Sequence, residues 1–322
     1  MTSSAGLKPR SICSAVAATL VAFATVPAAQ AATINLGEYT SLFRGVSQTN
    51  ANIDGRAASI VRVDLSDPGI EFVTTAPCTG CTPNTGTGVE VAAQTTSSFL
   101  INSGVQVAIN ANRDAVSGGN ASDLGLAVSN GVLVSPDQAG NDALLILAGN
   151  DASIVTGGTA NLNGVVTAVA GTVGAILKDG VYTGVTDNQS ANRSGLGLSF
   201  DGLYLYLLKG QTISFAQEAA LFLALGADDA INLNGGQAAS LYYATASGAS
   251  ELLDTGADRA VGTNLGIKAR PLGEALPPVP LPAAVWLLGS GLTGLMASFR
   301  RRRNGERGSN NVNVNVNVEH SK

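Results

Sequence analysis

Two stretches of the sequence, residues 105–112 and 230–236, each run from apolar residues into a pair of amide side chains. The pairs are Asn110 with Asn112 and Asn232 with Asn234. Residues at i and i+2 of an extended chain project to the same face, so each pair can present two amides together. The second stretch continues into Gly235 and Gly236, whose bare backbone lets a ligand approach closely. The pattern predicts a ligand site at two strand ends, although an ordinary strand-to-turn connection has the same pattern.

The other reactive side chains limit the chemistry of such a site. The only histidine is His320, close to the C-terminus, which excludes a Ser-His-Asp triad or a histidine-bound metal from the rest of the chain. Carboxylates, amides and arginines remain, and these suffice for glycoside hydrolysis or for saccharide binding. An arginine fork would suit a phosphate group. The arginines beside turns are Arg113, Arg193 and Arg259, and a solvated surface role is the alternative for each.

The elements that must position these residues are mostly strands. Alternating apolar residues and turn pairs predict hairpins at Asp67-Pro68-Gly69, Asn130-Gly131 and Asp201-Gly202. Two helices are predicted, over 89–101 and 214–225. We therefore predict an α+β fold, with one strand-rich domain over residues 32–276 and about two main helices.

The charge of this domain excludes one class of partner. Residues 32–276 include ten basic and 21 acidic residues, which gives a net charge of −11. A negative surface argues against binding nucleic acid through its phosphates, so no nucleic-acid partner is expected.

Residues 1–31 have the features of a secretory signal peptide. Lys8 and Arg10 precede an apolar stretch over 12–26, and the alanine-rich end favours cleavage after Ala31. An uncleaved membrane anchor is the alternative, but the apolar stretch is short and ends in small residues. The protein is therefore expected to be exported.

Two cysteines remain after this cleavage, Cys78 and Cys81, in the motif Cys-Thr-Gly-Cys. In a cytosolic protein the spacing would suggest redox chemistry or half a zinc site. No second cysteine pair or nearby histidine completes a zinc site. An exported chain favours a small loop disulfide over free thiols.

The C-terminal part has the pattern of a second sorting signal. A proline-rich linker at 277–282 leads into an uncharged run over 283–299, which is about long enough to cross a bilayer as a helix. Four arginines at 300–303 follow and favour the cytoplasmic side for the tail. We predict a linker, transmembrane helix and arginine cluster over 277–303, and a disordered tail over 304–322.

A Val-Pro-Leu-Pro-Ala motif lies at 279–283, and the short span and the arginine cluster follow it. This order resembles the PEP-CTERM type of sorting signal. The resemblance implies a Gram-negative bacterium with an exosortase-type sorting enzyme that cleaves the signal. The protein would be anchored transiently in the inner membrane and would then reach the cell surface or the extracellular matrix. A simple single-span anchor is the alternative.

Seven motifs of the core, taken in order, resemble the phosphodiester glycosidase family. They lie at 108–112, 125–131, 192–197, 216–226, 230–236, 258–261 and 264–266. The resemblance implies an α+β glycosidase that cleaves a sugar from a phosphodiester, by a retaining or an inverting mechanism. Its partner would be a saccharide phosphodiester or polysaccharide. Family members can use divalent cations, but no ligand cluster in this sequence requires one, so neither a cofactor nor a metal site is predicted.

The resemblance also assigns site residues. Substrate or phosphate binding is expected of Asn110, Asn112, Arg193, Asn232, Gly235, Gly236 and Arg259. The chain departs from the family pattern at three places, which are Asn234 for an Asp, Arg113-Asp114 for two Phe, and Asn192 for a Pro. Because an amide can neither transfer a proton nor act as a carboxylate nucleophile, another carboxylate would have to substitute for the missing one.

Asn234, Asp114 and Asp228 are therefore the candidate catalytic residues, with Asp229 as a further substitute. Two functions follow. The first is an exported phosphodiester glycosidase-like hydrolase that acts on glycosyl phosphodiesters of the envelope or of extracellular polysaccharide. The second is a catalytically impaired relative of the same fold that binds saccharide or serves as a surface or matrix protein.

Overall fold

The computed structural model describes residues 32–81, 88–185 and 189–274. The predicted signal peptide, transmembrane sorting helix and C-terminal tail lie outside these residues. Among the residues described, no helix is both long and apolar enough to cross a membrane.

The elements of the first half, in chain order, are β1 (Ile34–Leu36), β2 (Thr40–Phe43), β3 (Val46–Ile53), β4 (Arg56–Asp64), β5 (Glu71–Thr74), β6 (Val91–Ala92), α1 (Thr96–Ser103), β7 (Val107–Asn110), β8 (Arg113–Ser117), β9 (Asn120–Leu124), β10 (Ala127–Ser129), β11 (Val132–Ser135), β12 (Ala143–Leu147) and β13 (Ala152–Val155). Those of the second half are β14 (Val165–Ala170), β15 (Leu177–Lys178), β16 (Val181–Tyr182), β17 (Ala191–Ser199), β18 (Tyr204–Ile213), α2 (Phe215–Ala224), β19 (Ala227–Asn232), a 3-10 turn (Gly236–Ala238), β20 (Leu241–Thr245), β21 (Gly248–Glu251) and β22 (Asn264–Lys268).

The predicted α+β class is wrong, because the molecule is mostly β. Strands take 47% of the described residues and helices only 9%, and the sheets are curled. Part of the helix predicted over 89–101 is strand β6, which pairs with β9. Helix α1 begins only at Thr96, where the Thr95 side chain accepts a hydrogen bond from the Ser98 N–H as an N-cap. Pairing with a distant strand overrides the local helical pattern of the preceding residues.

The strands form four sheets whose described pairings are antiparallel. The largest sheet has the order β1-β3-β4-β18-β17-β19-β15-β16, with β2 also pairing with β3. Two five-stranded sheets have the orders β11-β10-β14-β12-β13 and β21-β20-β7-β22-β5, and β6-β9-β8 forms a small fourth sheet. The main apolar core contains residues from the large sheet and both five-stranded sheets, including Val61, Ile109, Leu144, Ile231 and Leu265.

The turns decide which predicted hairpins form. Asn130 and Gly131 both have positive φ, at 48° and 75°, and the predicted β10–β11 hairpin is confirmed. The hairpin at Asp201-Gly202 is also confirmed, as β17 and β18. The hairpin at Asp67-Pro68-Gly69 is wrong, because β4 pairs with β3 and β18 whereas β5 pairs with β22.

Helix α2 packs on the large sheet, mainly on β19. Ser214 and Gln217 form a capping box at its N-terminus, which local sequence is sufficient to specify. Strand β17 presents Gly195 and Gly197 to the helix. A Cβ at Gly197 would lie 2.5 Å from the Phe222 ring, so the bare backbone permits the close approach of helix and sheet.

Candidate functional site

Two hydrogen bonds join the two amide stretches, one from a side chain and one between backbone groups. β7 ends at Asn110 and β19 ends at Asn232, and the two strands belong to different sheets. The Asn110 Nδ2 donates to the carbonyl oxygen of Asn234 at 2.6 Å, and the Asn234 N–H donates to the carbonyl oxygen of Ala111 at 2.9 Å. These hydrogen bonds hold the ends of the two strands together immediately before the Gly-Gly loop, Gly235 and Gly236.

The side chains of Asn110 and Asn112 are fully buried and bond within the protein. The Asn110 Oδ1 accepts a hydrogen bond from the Ser240 N–H at 2.9 Å. The Asn112 Nδ2 donates to the carbonyl oxygen of Leu126 at 3.0 Å, and its Oδ1 accepts from the Ala170 N–H at 3.0 Å. Both amides therefore support the backbone beneath the site, whereas the family resemblance implied that they bind substrate.

Asp114, Asn234 and Arg259 form a hydrogen-bonded cluster at the loop. The Asp114 Oδ1 accepts from the Asn234 Nδ2 at 3.0 Å and from the Arg259 Nη2 at 2.7 Å, and its Oδ2 accepts from the Gly262 N–H at 2.7 Å. The Asp114 side chain has no exposed surface, whereas that of Arg259 is 40% exposed. The cluster therefore combines a buried carboxylate with an accessible guanidinium.

A second buried carboxyl group lies beside this cluster. Asp123 on β9 is directly opposite Asp114 on β8, and its backbone N–H donates to Glu90. Burial raises the pKa of Asp123 to about 7, and the charges of Glu90 and Asp114 add to this effect, whereas a hydrogen bond from Thr263 opposes it. Asp123 is therefore partly protonated near neutral pH.

Arg193 lies on the other side of the Gly-Gly loop. Its guanidinium stacks on the Phe215 ring at 4.2 Å, and its Nη1 is 3.8 Å from the position that a Cβ on Gly235 would take. Burial lowers the pKa of Arg193, and the charge of Glu218 opposes this shift. The backbone N–H of Arg259 donates to the carbonyl oxygen of Gln237, next to Gly236, at 2.9 Å. The guanidinium groups also donate to backbone carbonyl oxygens, that of Arg193 to Gln189 and that of Arg259 to Ala260. Two arginines thus lie close to the loop, which suits a phosphate ester.

A sequence model of the phosphodiester glycosidase family matches residues 103–268, which is just over half of the 322 residues. The chain belongs to the phosphodiester glycosidase family. All of the site described above lies within the matched residues, and the family supports a glycosidase-type hydrolase.

Solved structures provide two further comparisons for this phosphodiester glycosidase domain. A hypothetical protein from Synechocystis superposes with a TM-score of 0.51 and 13% sequence identity. The match covers 72% of this chain and 64% of the Synechocystis protein. The catalytic domain of zebrafish N-acetylglucosamine-1-phosphodiester alpha-N-acetylglucosaminidase, auto-inhibited by its pro-peptide, has a TM-score of 0.49. Its identity is 16%, with 74% of this chain and 84% of the zebrafish domain covered. No curated protein matches the chain in sequence.

The family resemblance implies an Asp at position 234 and a Phe at position 114, whereas this chain has Asn234 and Asp114. The structure places the Asn234 Nδ2 within 3.0 Å of the Asp114 Oδ1. A carboxylate on β8 therefore lies beside the amide of the loop.

Asp228, which the sequence suggested as a catalytic residue, lies away from this cluster. It is the second residue of β19 and Asn234 follows the strand, and at about 3.3 Å per residue the strand from Asp228 to Asn232 alone spans about 13 Å. Oxygens of Asp179, Asp228 and Asp229 lie within 4.8 Å of one another, as in some cation sites. The Lys178 Nζ, 2.8 Å from Asp229, already supplies a positive charge there.

Sequence reasoning missed two buried acids, Asp123 and Glu218. Glu218 on α2 is fully buried, and neither of its carboxyl oxygens has a hydrogen-bond partner among the described residues. Burial raises the pKa of Glu218 well above its usual value, against the opposing charge of Arg193. Its spacing was a usable signal, because Phe215, Glu218 and Phe222 fall three and four residues apart and share the apolar face of the helix.

Asn232 was predicted to bind substrate, and the structure buries it at the base of the site. Its Nδ2 donates to the Thr172 Oγ1 at 2.7 Å and to the carbonyl oxygen of Leu233 at 2.7 Å. Its Oδ1 is buried and has no hydrogen-bond partner in the described part of the chain. Asn232 is therefore a buried group with one acceptor still unsatisfied.

The remaining predicted residues lie elsewhere. Arg113 is exposed on β8. Cys78 and Cys81 form a disulfide. A cleft of about 800 Å³ lies along β5, lined by Phe72, Asn130 and other residues, and none of the residues predicted for the site lines it.

Proposed function

We propose that this protein is an active phosphodiester glycosidase in which Asp114 supplies the carboxylate that the family pattern places at position 234. The observation that carries the proposal is the cluster of Asp114, Asn234 and Arg259, with contacts of 3.0 and 2.7 Å. A carboxylate placed next to the altered residue can preserve the negative charge of the site although residue 234 is an amide.

The roles of the residues follow from their charges. Arg193 and Arg259 lie close to the Gly-Gly loop and bind the phosphate of the substrate. Asp114 stabilises the positive charge that develops on the sugar as the glycosidic bond breaks. A phosphate ester is already a weak base, so it leaves with little help from an acid.

The proposed substrate is a glycosyl phosphodiester of the bacterial envelope or of extracellular polysaccharide. The signal-peptide pattern of residues 1–31 supports export of the protein to that location. The two arginines at the loop support a phosphorylated sugar over a neutral one.

One observation favours the second candidate function, which is saccharide binding without turnover. The Asp114 side chain has no exposed surface and accepts three hydrogen bonds from the protein. In that role the carboxylate holds Asn234 and Arg259 in place and does not reach the sugar.

The rate of hydrolysis of a chromogenic glycosyl phosphodiester distinguishes the two functions. We expect turnover by the wild-type protein and a loss of kcat/KM of about 100-fold or more in Asp114→Asn, because the amide removes the negative charge. Asp151→Asn makes the same change at an exposed position and should leave kcat/KM within about twofold. A wild-type protein that binds a sugar phosphate but releases no product would overturn the proposal and favour saccharide binding.

A further inference from the structure

A buried acid between α2 and the large sheet has no role in the proposed hydrolysis. Glu218 is fully buried, and both of its carboxyl oxygens lack a partner among the residues described. Burying an ionised carboxylate without hydrogen bonds is far more costly than burying the neutral acid. The environment therefore favours the protonated form, whose O–H requires an acceptor.

The register of the sheet indicates a candidate for that acceptor. A Cβ at Gly195 would be 2.2 Å from the Glu218 Oε1, so the carboxyl group occupies the space that a side chain at Gly195 would fill. Gly195 is directly opposite Asn232. Directly opposite residues of an antiparallel pair share a face, with Cβ positions about 5 Å apart. The Asn232 side chain, whose Oδ1 also lacks a described partner, therefore lies on the same face of the sheet as the Glu218 carboxyl group.

Arg193 is the charged residue that acts on this space. It precedes Gly195 by two residues on β17 and therefore projects to the same face. Helix α2 packs on β15 to β19. Burial raises the pKa of Glu218, and among the described side chains of these elements only the charge of Arg193 opposes that rise. An ionised Glu218 would attract the Arg193 guanidinium and would repel a bound phosphate.

We propose that Glu218 is a positioning residue that works as a neutral acid, donating a hydrogen bond to the Asn232 Oδ1. The hydrogen bond satisfies both unpartnered groups and fixes the amide at the base of the site. A neutral Glu218 also adds no negative charge beside Arg193, which we propose to contact the phosphate of the substrate. This inference rests on the proposed function, because only a phosphate ligand makes that negative charge unfavourable.

Glu218→Gln tests the inference because a glutamine amide can donate the same hydrogen bond but cannot ionise. We expect its kcat/KM near neutral pH to stay within about threefold of the wild-type value. In the wild-type protein KM should rise about fivefold or more at alkaline pH as Glu218 ionises, and in Glu218→Gln it should not. The control Glu71→Gln changes an exposed residue and should retain the wild-type pH profile.

Two results would overturn the inference. A loss of about 100-fold in kcat/KM for a folded Glu218→Gln would show that a carboxylate is required, and identical KM profiles in variant and wild type would show that ionisation has no effect. Thermal unfolding over the same pH range separates this inference from the proposed function, since it needs no substrate. If Glu218 is a neutral buried acid, the wild type should lose stability relative to Glu218→Gln as pH rises above about 4.5. This difference is expected even if neither protein turns over a phosphodiester.

Discussion

Asp114 is held by three donors that come from two different parts of the chain. The Asn234 amide comes from the loop after β19, whereas the Arg259 guanidinium and the Gly262 N–H come from the segment before β22. Each charge-assisted hydrogen bond stabilises the ionised carboxylate. Removing the charge at Asp114 would break the ion pair with Arg259, so a single substitution there affects both the chemistry and the phosphate-binding side of the site.

Asp123 makes the stability of the protein depend on pH. Its pKa is raised from the usual 3.8 to about 7 in the folded protein, so the folded state keeps a proton that the unfolded chain loses. The stabilisation is complete below about pH 4 and is lost as pH rises towards about 7. Asp123→Asn should remove the part of the slope that Asp123 contributes and leave the part due to Glu218, as measured by thermal unfolding at several pH values. Asp151→Asn should retain the whole slope. Unfolding curves for Asp123→Asn that follow the wild-type pH dependence would contradict the assignment.

The sequence singled out the residues that lie at the loop, but it did not show which of them are accessible. Arg193, Asn234 and Arg259 could be chosen because residue type and the family pattern suffice for that choice. The burial of Asn110 could not be predicted, because it depends on partners such as Ser240 that only the folded chain brings near.

The accuracy of the predicted elements depended on whether their signals are local. Helix α2 was predicted over 214–225 and is observed at Phe215–Ala224, because a capping box and Gly226 mark its ends. The helix predicted over 89–101 was wrong in its first part, because Val91 and Ala92 pair with β9, about thirty residues later. The hairpin of β3 and β4 was missed although Asp54-Gly55 is a strong turn pair with positive φ at both residues.

The contact between α2 and β17 leads to a prediction about packing. Gly195→Ala places a methyl group 2.2 Å from the Glu218 Oε1 and 2.9 Å from the Phe222 ring, so the helix must shift. We expect a loss of about 2 kcal/mol in the free energy of unfolding, measured with urea. Gly174→Ala is the matched control, because its new methyl group has no neighbour closer than 3.9 Å. Equal stabilities for the two variants would contradict the described packing.

For the whole molecule, the class was mispredicted because most of its strand pairs are distant in sequence. β4 pairs with β18 across about 140 residues, and β5 pairs with β22 across almost 200. Alternating apolar residues show that strands exist but not which strands pair, and they led to a hairpin between β4 and β5 that does not form. The choice of pairing partners, and the division of the strands among four sheets, is decided only when the complete chain folds.

Processing of the full chain is a further prediction at this scale. We expect a Gram-negative host that expresses the full chain to remove residues 1–31, because a basic start, an apolar stretch and an alanine-rich end form a secretory signal. Intact-mass measurement and N-terminal sequencing of the purified protein should show Ala32 as the first residue. A product that retains the first 31 residues would contradict export by this route.

Exchange of the carboxylate between positions 114 and 234 tests the central claim most directly. The rate of hydrolysis of a glycosyl phosphodiester is measured for Asp114→Asn, for Asn234→Asp and for the double variant, which restores the family's Asp at position 234. If the site requires one carboxylate at this place, Asp114→Asn should lose about 100-fold or more in kcat/KM, and the double variant should recover to within about tenfold of the wild type. A double variant as inactive as Asp114→Asn, or an Asp114→Asn protein with wild-type activity, would contradict the account.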